Sequence, residues 1–534
     1  MAVSMNMFDN IHFPPTGGYF FQRSLVKSLY LFLGSMILSC YFVLGAAVPQ
    51  PTGPDIVFVR IPVAAEPSTP TINTRLPLDR YVDGCQIARF SLSGSPGKVV
   101  PLTAEFLSAR DPAVSFTGRK ILFAGKQRKG EPWQIWQMDS SGGNKTQITH
   151  GNRDCVFPLF VGSLFHLDDK APTRKIVYQG GSHLYTCDLD GKNPRRITYN
   201  LNPEFSPDVL PNGRIIFSSL KNSGIEAGSG KTLDLLAVNI DGTDLMGYLT
   251  GPEVPGDKEM VRVGPDGRVY FIRSDLSQWL GGGSLAYVSS RRPAHSYNLL
   301  APAEKGYYHS PCPLPDGGLI VSYRGKQKGS LYGLFLLTPD TITMPGIPTE
   351  KKSPLIGSPR RGAPLIAGGS DYHCVDARVL GPHPVVKGRS SFVDHNRDSG
   401  VFYCISVYIS ESPELKRLAP GSIKQVRVLE GVFLDREQRV SRRILGTAPV
   451  EPDGSFHIRV PAETPLAFQL LDKEGKVVIG QCSWAWVMPR ESRGCIGCHE
   501  DRELASPNQL PQAIIKPAVQ LTRKREPQQK KGNR

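Results

Sequence analysis

Residues 111–123 read Asp111-Pro112-Ala113-Val114-Ser115-Phe116-Thr117-Gly118-Arg119-Lys120-Ile121-Leu122-Phe123. A β-prone run enters a glycine turn and leaves as a second β-prone run, the pattern of a tight hairpin. The outgoing half recurs as Arg174-Lys175-Ile176-Val177-Tyr178, Asn212-Gly213-Arg214-Ile215-Ile216-Phe217, Asp266-Gly267-Arg268-Val269-Tyr270-Phe271 and Asp316-Gly317-Gly318-Leu319-Ile320-Val321. Ile56-Val57-Phe58-Val59 opens the series. A second mark, an apolar residue followed by Thr, falls at Leu102-Thr103, Ile148-Thr149, Ile197-Thr198 and Leu249-Thr250, at intervals of 46, 49 and 52 residues. Ahead of the last three lies a strand that runs into a turn at Gly142, Gly191 or Gly242. Units of this length, with several short strands and no helical period, are the blades of a β-propeller. The expected fold is therefore mostly β, with about six blades over residues 55–345.

Around that repeat, 54 glycines and 46 prolines in 534 residues favour many turns over long helices. The run from Asp111 to Phe123 resembles the repeat of TolB-type propellers, themselves close in architecture to WD40 propellers. Such a scaffold implies no chemistry by itself. A linker rich in Pro, Lys and Arg fills residues 346–364. Beyond it, Gln425-Val426-Arg427-Val428-Leu429, Ser455-Phe456-His457-Ile458-Arg459-Val460 and Ala467-Phe468-Gln469-Leu470-Leu471 read as strands, with turns at Pro452-Asp453-Gly454 and Lys473-Glu474-Gly475. Residues 365–510 are expected to form a sandwich-like second β domain.

Net charge is +15. Seven Lys and Arg stand against Glu526 alone between Lys516 and Arg534, in a stretch rich in Gln and Pro. Residues 511–534 thus read as a solvated basic tail, and no nucleic-acid partner is expected. At the other end, Arg23 and Lys27 precede the uncharged apolar run from Leu29 to Val48, with Gly45, Ala46 and Ala47 near its close. Residues 1–48 read as a signal peptide, or as an uncleaved membrane anchor through residues 29–48. Either reading puts the remainder in the periplasm or another extracytoplasmic space.

Ten cysteines are spread along the chain, and only Cys495 and Cys498 form a close pair. Disulfides among the others stay open, because connectivity cannot be read from spacing. Cys495-Ile496-Gly497-Cys498-His499 is the attachment pattern for a c-type haem. Two thiols three residues apart can reach the two vinyl groups on one porphyrin edge, and the adjacent imidazole then lies under the iron. Half of a zinc site would need two further ligands, and no second Cys-x-x-Cys or His-x-His lies nearby. One covalent haem c on Cys495 and Cys498, with His499 as axial iron ligand, is the expectation. Met488 and His457 are within sequence reach as a second ligand. Trp484 and Trp486 either pack on the macrocycle or belong to the core.

Gly446-Thr447-Ala448-Pro449-Val450-Glu451-Pro452-Asp453-Gly454-Ser455-Phe456, Val460-Pro461-Ala462-Glu463-Thr464-Pro465-Leu466 and Arg493-Gly494-Cys495-Ile496-Gly497-Cys498-His499-Glu500-Asp501 together resemble the middle domain of the hydrazine synthase alpha subunit and its relatives. That resemblance implies a propeller coupled to a haem-bearing middle domain. In the synthase a tyrosine shortly after the motif ligates this haem, while the motif histidine helps to bind zinc. Here Glu500-Asp501-Arg502-Glu503-Leu504-Ala505 follows, with no later tyrosine, so the axial role returns to His499. A zinc role for His499 would need propeller residues, Cys312 near His309 being the candidate. Only 35 residues follow His499, so the synthase's second haem is not expected, and hydrazine synthesis is not either.

The expected function is redox, as an electron carrier docked on a partner protein or as an oxidoreductase for a small substrate. The alternative is a non-enzymatic propeller for protein or envelope binding, with the haem or the cysteine pair in a structural role. No catalytic Ser/His/Asp set or phosphate loop stands out, and Gly281-Gly282-Gly283 lacks the Walker spacing. His373, Cys374, His383, Asp394 and His395 are expected to be ordinary core or surface residues, with the lining of a haem pocket as the other reading.

Overall fold

The computed structural model describes residues 55–65, 80–91, 98–167, 169–221, 232–250, 254, 256–274, 279–337, 365–366, 369–410, 413–433, 440–480, 483–498 and 508–521. The apolar run 29–48, the linker 346–364 and His499 lie outside them.

Six antiparallel meanders stand side by side. The second blade runs through Ser108–Val114, Lys120–Lys126, Gln134–Asp139 and Thr146–Gln147, and the third through Cys155–His166, Thr173–Gly180, His183–Asp188 and Arg195–Arg196. The fourth and fifth begin at Glu204–Val209 and Asp257–Val263 and repeat the plan, and the sixth runs through Gly306–Pro313, Leu319–Gly325 and Gly333–Leu337, with Ile366 bridged to Leu334. The recurrent Ile/Val/Phe runs are the second strands, buried on both faces between neighbouring blades, which is why they read as continuous apolar runs rather than alternating ones.

The first blade is assembled from both ends of the ring. Ile56–Pro62, Gln86–Phe90 and Val100–Pro101 are its outer strands. Its innermost strand is Tyr372–Val379, which pairs antiparallel with Ile56–Pro62 from Ile56↔Val379 to Pro62↔Tyr372. This corrects the boundary drawn at 345, since residues 372–379 were expected in the second domain. They carry no glycine turn of the blade type because their partner strand lies at the opposite end of the propeller sequence.

Each innermost strand carries one non-glycine residue in the left-handed region: Asp111 (φ 53), Phe157 (φ 50), Ser206 (φ 51), Met260 (φ 56), Ser310 (φ 41) and Asp376 (φ 54). At each one the ladder slips, as between Arg110 and Ala113 or between His309 and Cys312. The repeated feature is a β-bulge. Pro112, Pro158, Pro207 and Pro311 follow four of these residues, where the bulge has already interrupted the ladder and no N–H is required.

Past the closing strand the chain crosses the face formed by the first–second turns of the blades. Lys387 N donates to Pro211 O at 3.3 Å, and Gly213 (φ 84) leaves room for Lys387 O, which a Cβ would approach to 2.2 Å. Arg389–Ser391 then runs parallel to the end of Cys155–His166. The second domain is a sandwich of two four-stranded sheets. One orders Ser492–Cys495, Ser399–Cys404, Phe456–Pro461 and Val519–Gln520, and the other Val440–Pro449, Gln425–Phe433, Leu466–Leu471 and Val477–Gly480. Phe402, Val426, Val428, Ile458 and Leu470 fill the space between them.

Residues 511–521, expected to belong to a basic tail, are instead held on the sandwich. Val519–Gln520 pairs with Ile458 and Arg459, and Leu521 is buried in the sandwich core. Lys516 forms an ion pair with Glu451 at 2.7 Å, and Asp453 accepts from Gln512 N at 2.8 Å. These partners are distant in sequence, so composition alone reads the stretch as solvated.

Val375 on the closing strand is fully buried opposite Val59. Val375→Ala is expected to lower the unfolding free energy by roughly 2 kcal/mol in urea denaturation, by loss of transfer energy and creation of a cavity. Val385→Ala, at an exposed site, is expected to stay within about 0.5 kcal/mol of the parent. Equal effects of the two would count against closure by this strand.

Candidate functional site

Ser492–Cys495 lies parallel to Ser399–Cys404, with Cys404 opposite Cys495 and Tyr403 opposite Gly494. On its other side Cys404 pairs with Phe456 and Tyr403 with His457. Side chains alternate along a strand, so Cys495, Cys404 and Phe456 form one row toward the sandwich core, and Gly494, Tyr403 and His457 form the opposite row. The Tyr403 ring covers Gly494 so closely that a Cβ there would lie 2.5 Å from it.

After Cys495 the chain turns against the loop that follows Cys404. Ile405 N donates to Cys495 O at 2.9 Å, Ser406 N to Ile496 O at 3.2 Å, and Cys498 N to Ile409 O at 3.1 Å. Gly497 sits where a Cβ would meet Ile409 O at 1.9 Å, so the turn requires glycine. Cys495 and Cys498 are both half-buried and pack against the same sandwich core. Hydrogen bonds continue from the motif through Ser406 and Asp453 to Gln512, beside exposed Leu510. Two half-exposed thiols, held by a fixed turn at an apolar edge, fit a planar apolar group joined through both sulfurs.

Trp486, Met488, Glu491 and Arg493, in the segment before the motif, dock on the propeller. Trp486 Nε1 donates to Gly242 O at 3.1 Å and its ring meets Tyr199 edge-on. Met488 is buried with Val238, Ile240 and Leu245, and Trp484 with Leu429 and Ala467. Arg493 donates to Trp486 O at 3.2 Å and to Leu245 O. Both tryptophans therefore serve core and interface packing, and Met488 is committed to the interface. His457 is bound through Nδ1 to Lys516 O at 3.1 Å.

Glu491 escaped the sequence reading. Its carboxylate accepts from Asp244 N at 2.7 Å and Met488 N at 2.6 Å, tying the propeller turn to the approach of the motif. Burial raises its pKa to about 7, against the opposing pull of those two N–H groups and of Arg493. An Asp-Gly turn such as Asp241-Gly242 marks a blade edge, but nothing local marks a distant carboxylate as its partner.

The remaining candidates lie in the propeller or its connector. His309 and Cys312 share the strand Gly306–Pro313 but are separated by the Ser310 bulge. His309 is bound to Leu280 O at 3.2 Å and Ser310 Oγ at 2.6 Å, and burial lowers its pKa to about 3. Cys312 packs instead with Ile56, Ile320 and Cys374. Among the described residues no group of three His, Cys, Asp or Glu side chains is placed to hold a metal ion. Cys85, Cys155, Cys187, Cys312 and Cys374 are buried thiols, not disulfides, with pKa values raised by burial. His373 and Cys374 belong to the propeller's closing strand, His383 packs on Phe116, and His395 faces Glu463 at 3.9 Å.

Fold and site together define a six-bladed propeller joined to a β sandwich that presents a paired-cysteine motif. Residues 430–500, which include that motif, match the family described as the hydrazine synthase alpha subunit middle domain. The chain is 26% identical to hydrazine synthase subunit alpha from Kuenenia stuttgartiensis over 516 residues, covering 78% of this chain and 62% of that protein. It thus spans less than two thirds of that relative's length. The solved hydrazine synthase from Kuenenia stuttgartiensis superposes with a TM-score of 0.71 at 21% identity, over 87% of this chain and 71% of that one. TolB from Acinetobacter baumannii matches at a TM-score of 0.36 and 13% identity over 65% of this chain and 71% of that one. The chain is thus similar to the hydrazine synthase alpha subunit along most of its own length.

Gly497→Ala is expected to open the turn at Ile409, costing more than about 1 kcal/mol and speeding reaction of Cys495 and Cys498 with a thiol reagent. Unchanged labelling rates would show that the turn does not set thiol access. For Glu491 the fold favours the uncharged carboxyl, so its contribution is fully present below the ordinary value of 4.5 and is lost as pH rises to 7. The expected loss is on the order of 3 kcal/mol between pH 4.5 and 8. Glu491→Gln should remove that part of the pH slope, read from urea midpoints at several pH values.

Proposed function

We propose that this protein is an exported redox protein carrying one covalent haem c, bound by thioethers at Cys495 and Cys498 with His499 as an iron ligand. The observation that carries the reading is the fixed turn of the motif. Gly497 packs on Ile409 O, and both cysteines stand half-buried at one core edge. Export rests on the apolar run 29–48, which agrees with the oxidising space where such attachment is made and kept.

When bound, the haem supplies one-electron redox chemistry at its iron. The chain's own residues do the rest. Cys495 and Cys498 fix the group to the end of the sandwich. Tyr403 over Gly494 closes the outer face beside the motif. Glu491, Arg493 and Trp486 hold this whole segment rigidly on the fourth blade. The partner is a redox protein or a small oxidisable or reducible molecule, and the propeller provides the docking surface. Hydrazine synthesis belongs to the longer relative and is not proposed for this chain.

The test is a pyridine haemochrome assay on protein produced with a c-type maturation system. One covalent haem per chain is expected, resistant to acid-acetone extraction. Cys495→Ala combined with Cys498→Ala should abolish it with an unchanged far-ultraviolet circular dichroism spectrum. A parent protein without covalent haem sinks the reading. A Soret band that shifts with CO after reduction would assign small-molecule chemistry, and an indifferent band would assign electron transfer.

A further inference from the structure

A second cluster lies inside the propeller, away from the cysteine motif. Four arginines are buried or nearly so around the axis: Arg80, Arg110, Arg262 and Arg378. Two carboxylates serve three of them. Glu259 pairs with Arg80 at 2.9 Å, and Asp376 pairs with Arg262 at 3.2 Å and with Arg378 at 2.9 Å. Arg110 is 8% exposed and has no ion-pair partner among the described residues. Its Nη1 donates to Arg80 O, and its guanidinium stands 4.8 Å from the Tyr81 ring centroid. Asp111, the nearest remaining carboxylate, is occupied by Tyr81 OH and by Phe157 N at 3.0 Å. Its pKa is raised by burial, which makes it a weak counter-charge.

Donors are left over in a specific pattern. Arg80 is 5% exposed, and its Nε and Nη2 have no hydrogen-bond partner. Arg110 Nε has none either. Only Nη1 of Arg80 is spent on Glu259. Nε–H and Nη2–H are the two parallel donors along one edge of a guanidinium, the edge that takes both oxygens of a planar oxyanion. A buried charge with unmet donors is costly, so natural proteins supply a partner for it. His309, beside Arg80 and Arg110, is neutral and adds no competing charge.

The Gly281-Gly282-Gly283 stretch finds its use here. A Cβ at Gly281 (φ 78) would lie 2.6 Å from both Arg80 Nη1 and Glu259 Oε1, so the glycine lets the backbone close over the ion pair. Tyr332 OH pins that loop through Gly281 O at 3.1 Å. Arg80 and Gly281 both lie on second-to-third strand connections. The sandwich docks on a third-to-fourth turn, which in an up-and-down blade emerges at the opposite face. The cluster is therefore at the far mouth of the ring.

We propose that Arg80 and Arg110 form a binding site for a small planar oxyanion of one negative charge, of the carboxylate or nitrate class, at the propeller axis. The anion lies side-on against Nε and Nη2 of Arg80, with Arg110 Nε as a further donor. It reduces the positive surplus of the inner ring by one charge and fastens the first, second and fifth blades to one another.

Isothermal titration of the full chain with sodium formate and with sodium nitrate, at fixed ionic strength held by sodium chloride, tests this. Saturable binding of about one anion per chain is expected, with a matching rise of the thermal midpoint that follows ligand concentration. Arg80→Lys keeps the charge and the Glu259 pair but removes the two-donor edge, and should weaken binding by at least tenfold. Arg427→Lys, on the sandwich, should bind as the parent does. Absence of saturable binding in the parent, or an equal response when chloride alone is raised, overturns the proposal. Undiminished affinity in Arg80→Lys overturns it too. If Arg80→Lys fails to fold, the comparison of formate with chloride on the parent still decides.

Discussion

The pairing of Tyr372–Val379 with Ile56–Pro62 is the constraint on which the rest of this molecule depends. A ring of blades has no stable intermediate size, because an open ring leaves two blade faces and an inner strand edge uncovered. Here the N-terminal end supplies three strands of the first blade and the far end of the propeller sequence supplies the fourth. Closure brings Asp376 into the inner ring beside Arg262 and Arg378. It also fixes where the chain leaves the propeller, and therefore where the sandwich must sit.

The sandwich is held as more than a flexible appendage. Lys387 lies against Pro211 and Gly213, Arg389–Ser391 extends the third blade, and Trp486, Met488, Glu491 and Arg493 cap the turn at Gly242. Three residues lie between Glu491 and Cys495. The motif is thus part of a continuous chain of contacts that begins in the propeller. The raised pKa of the Glu491 carboxyl makes that junction sensitive to pH.

Much of the architecture was legible in the residues. Gly118, Gly213, Gly267 and Gly317 adopt the positive φ that their hairpins require, and the six blades they imply are present. The inner-strand bulge was written in the same stretches as Asp111-Pro112, Phe157-Pro158, Ser206-Pro207 and Ser310-Pro311, a repeat that sequence reading could have used. Asp376, followed by alanine and without a glycine turn, breaks that pattern, so nothing local marks Tyr372–Val379 as a strand of the propeller. Residues 511–521 were misjudged for the same reason. Their polar composition is real, but Leu521, Asp453 and Glu451 give them partners that lie elsewhere in the chain.

The sequence by itself determined the short-range features: the turns, the strand runs between them and the spacing of Cys495, Gly497 and Cys498. Each depends on the steric and chemical character of a few neighbouring residues, so a window of ten residues contains the cause. Only the tertiary structure decided that Tyr372–Val379 closes the ring, that Glu491 meets Asp244, that Tyr403 covers Gly494, and that Arg80 and Arg110 share a buried space. Those are pairings across tens to hundreds of residues. Their energies come from burial and charge compensation, which exist only once the chain has folded around them.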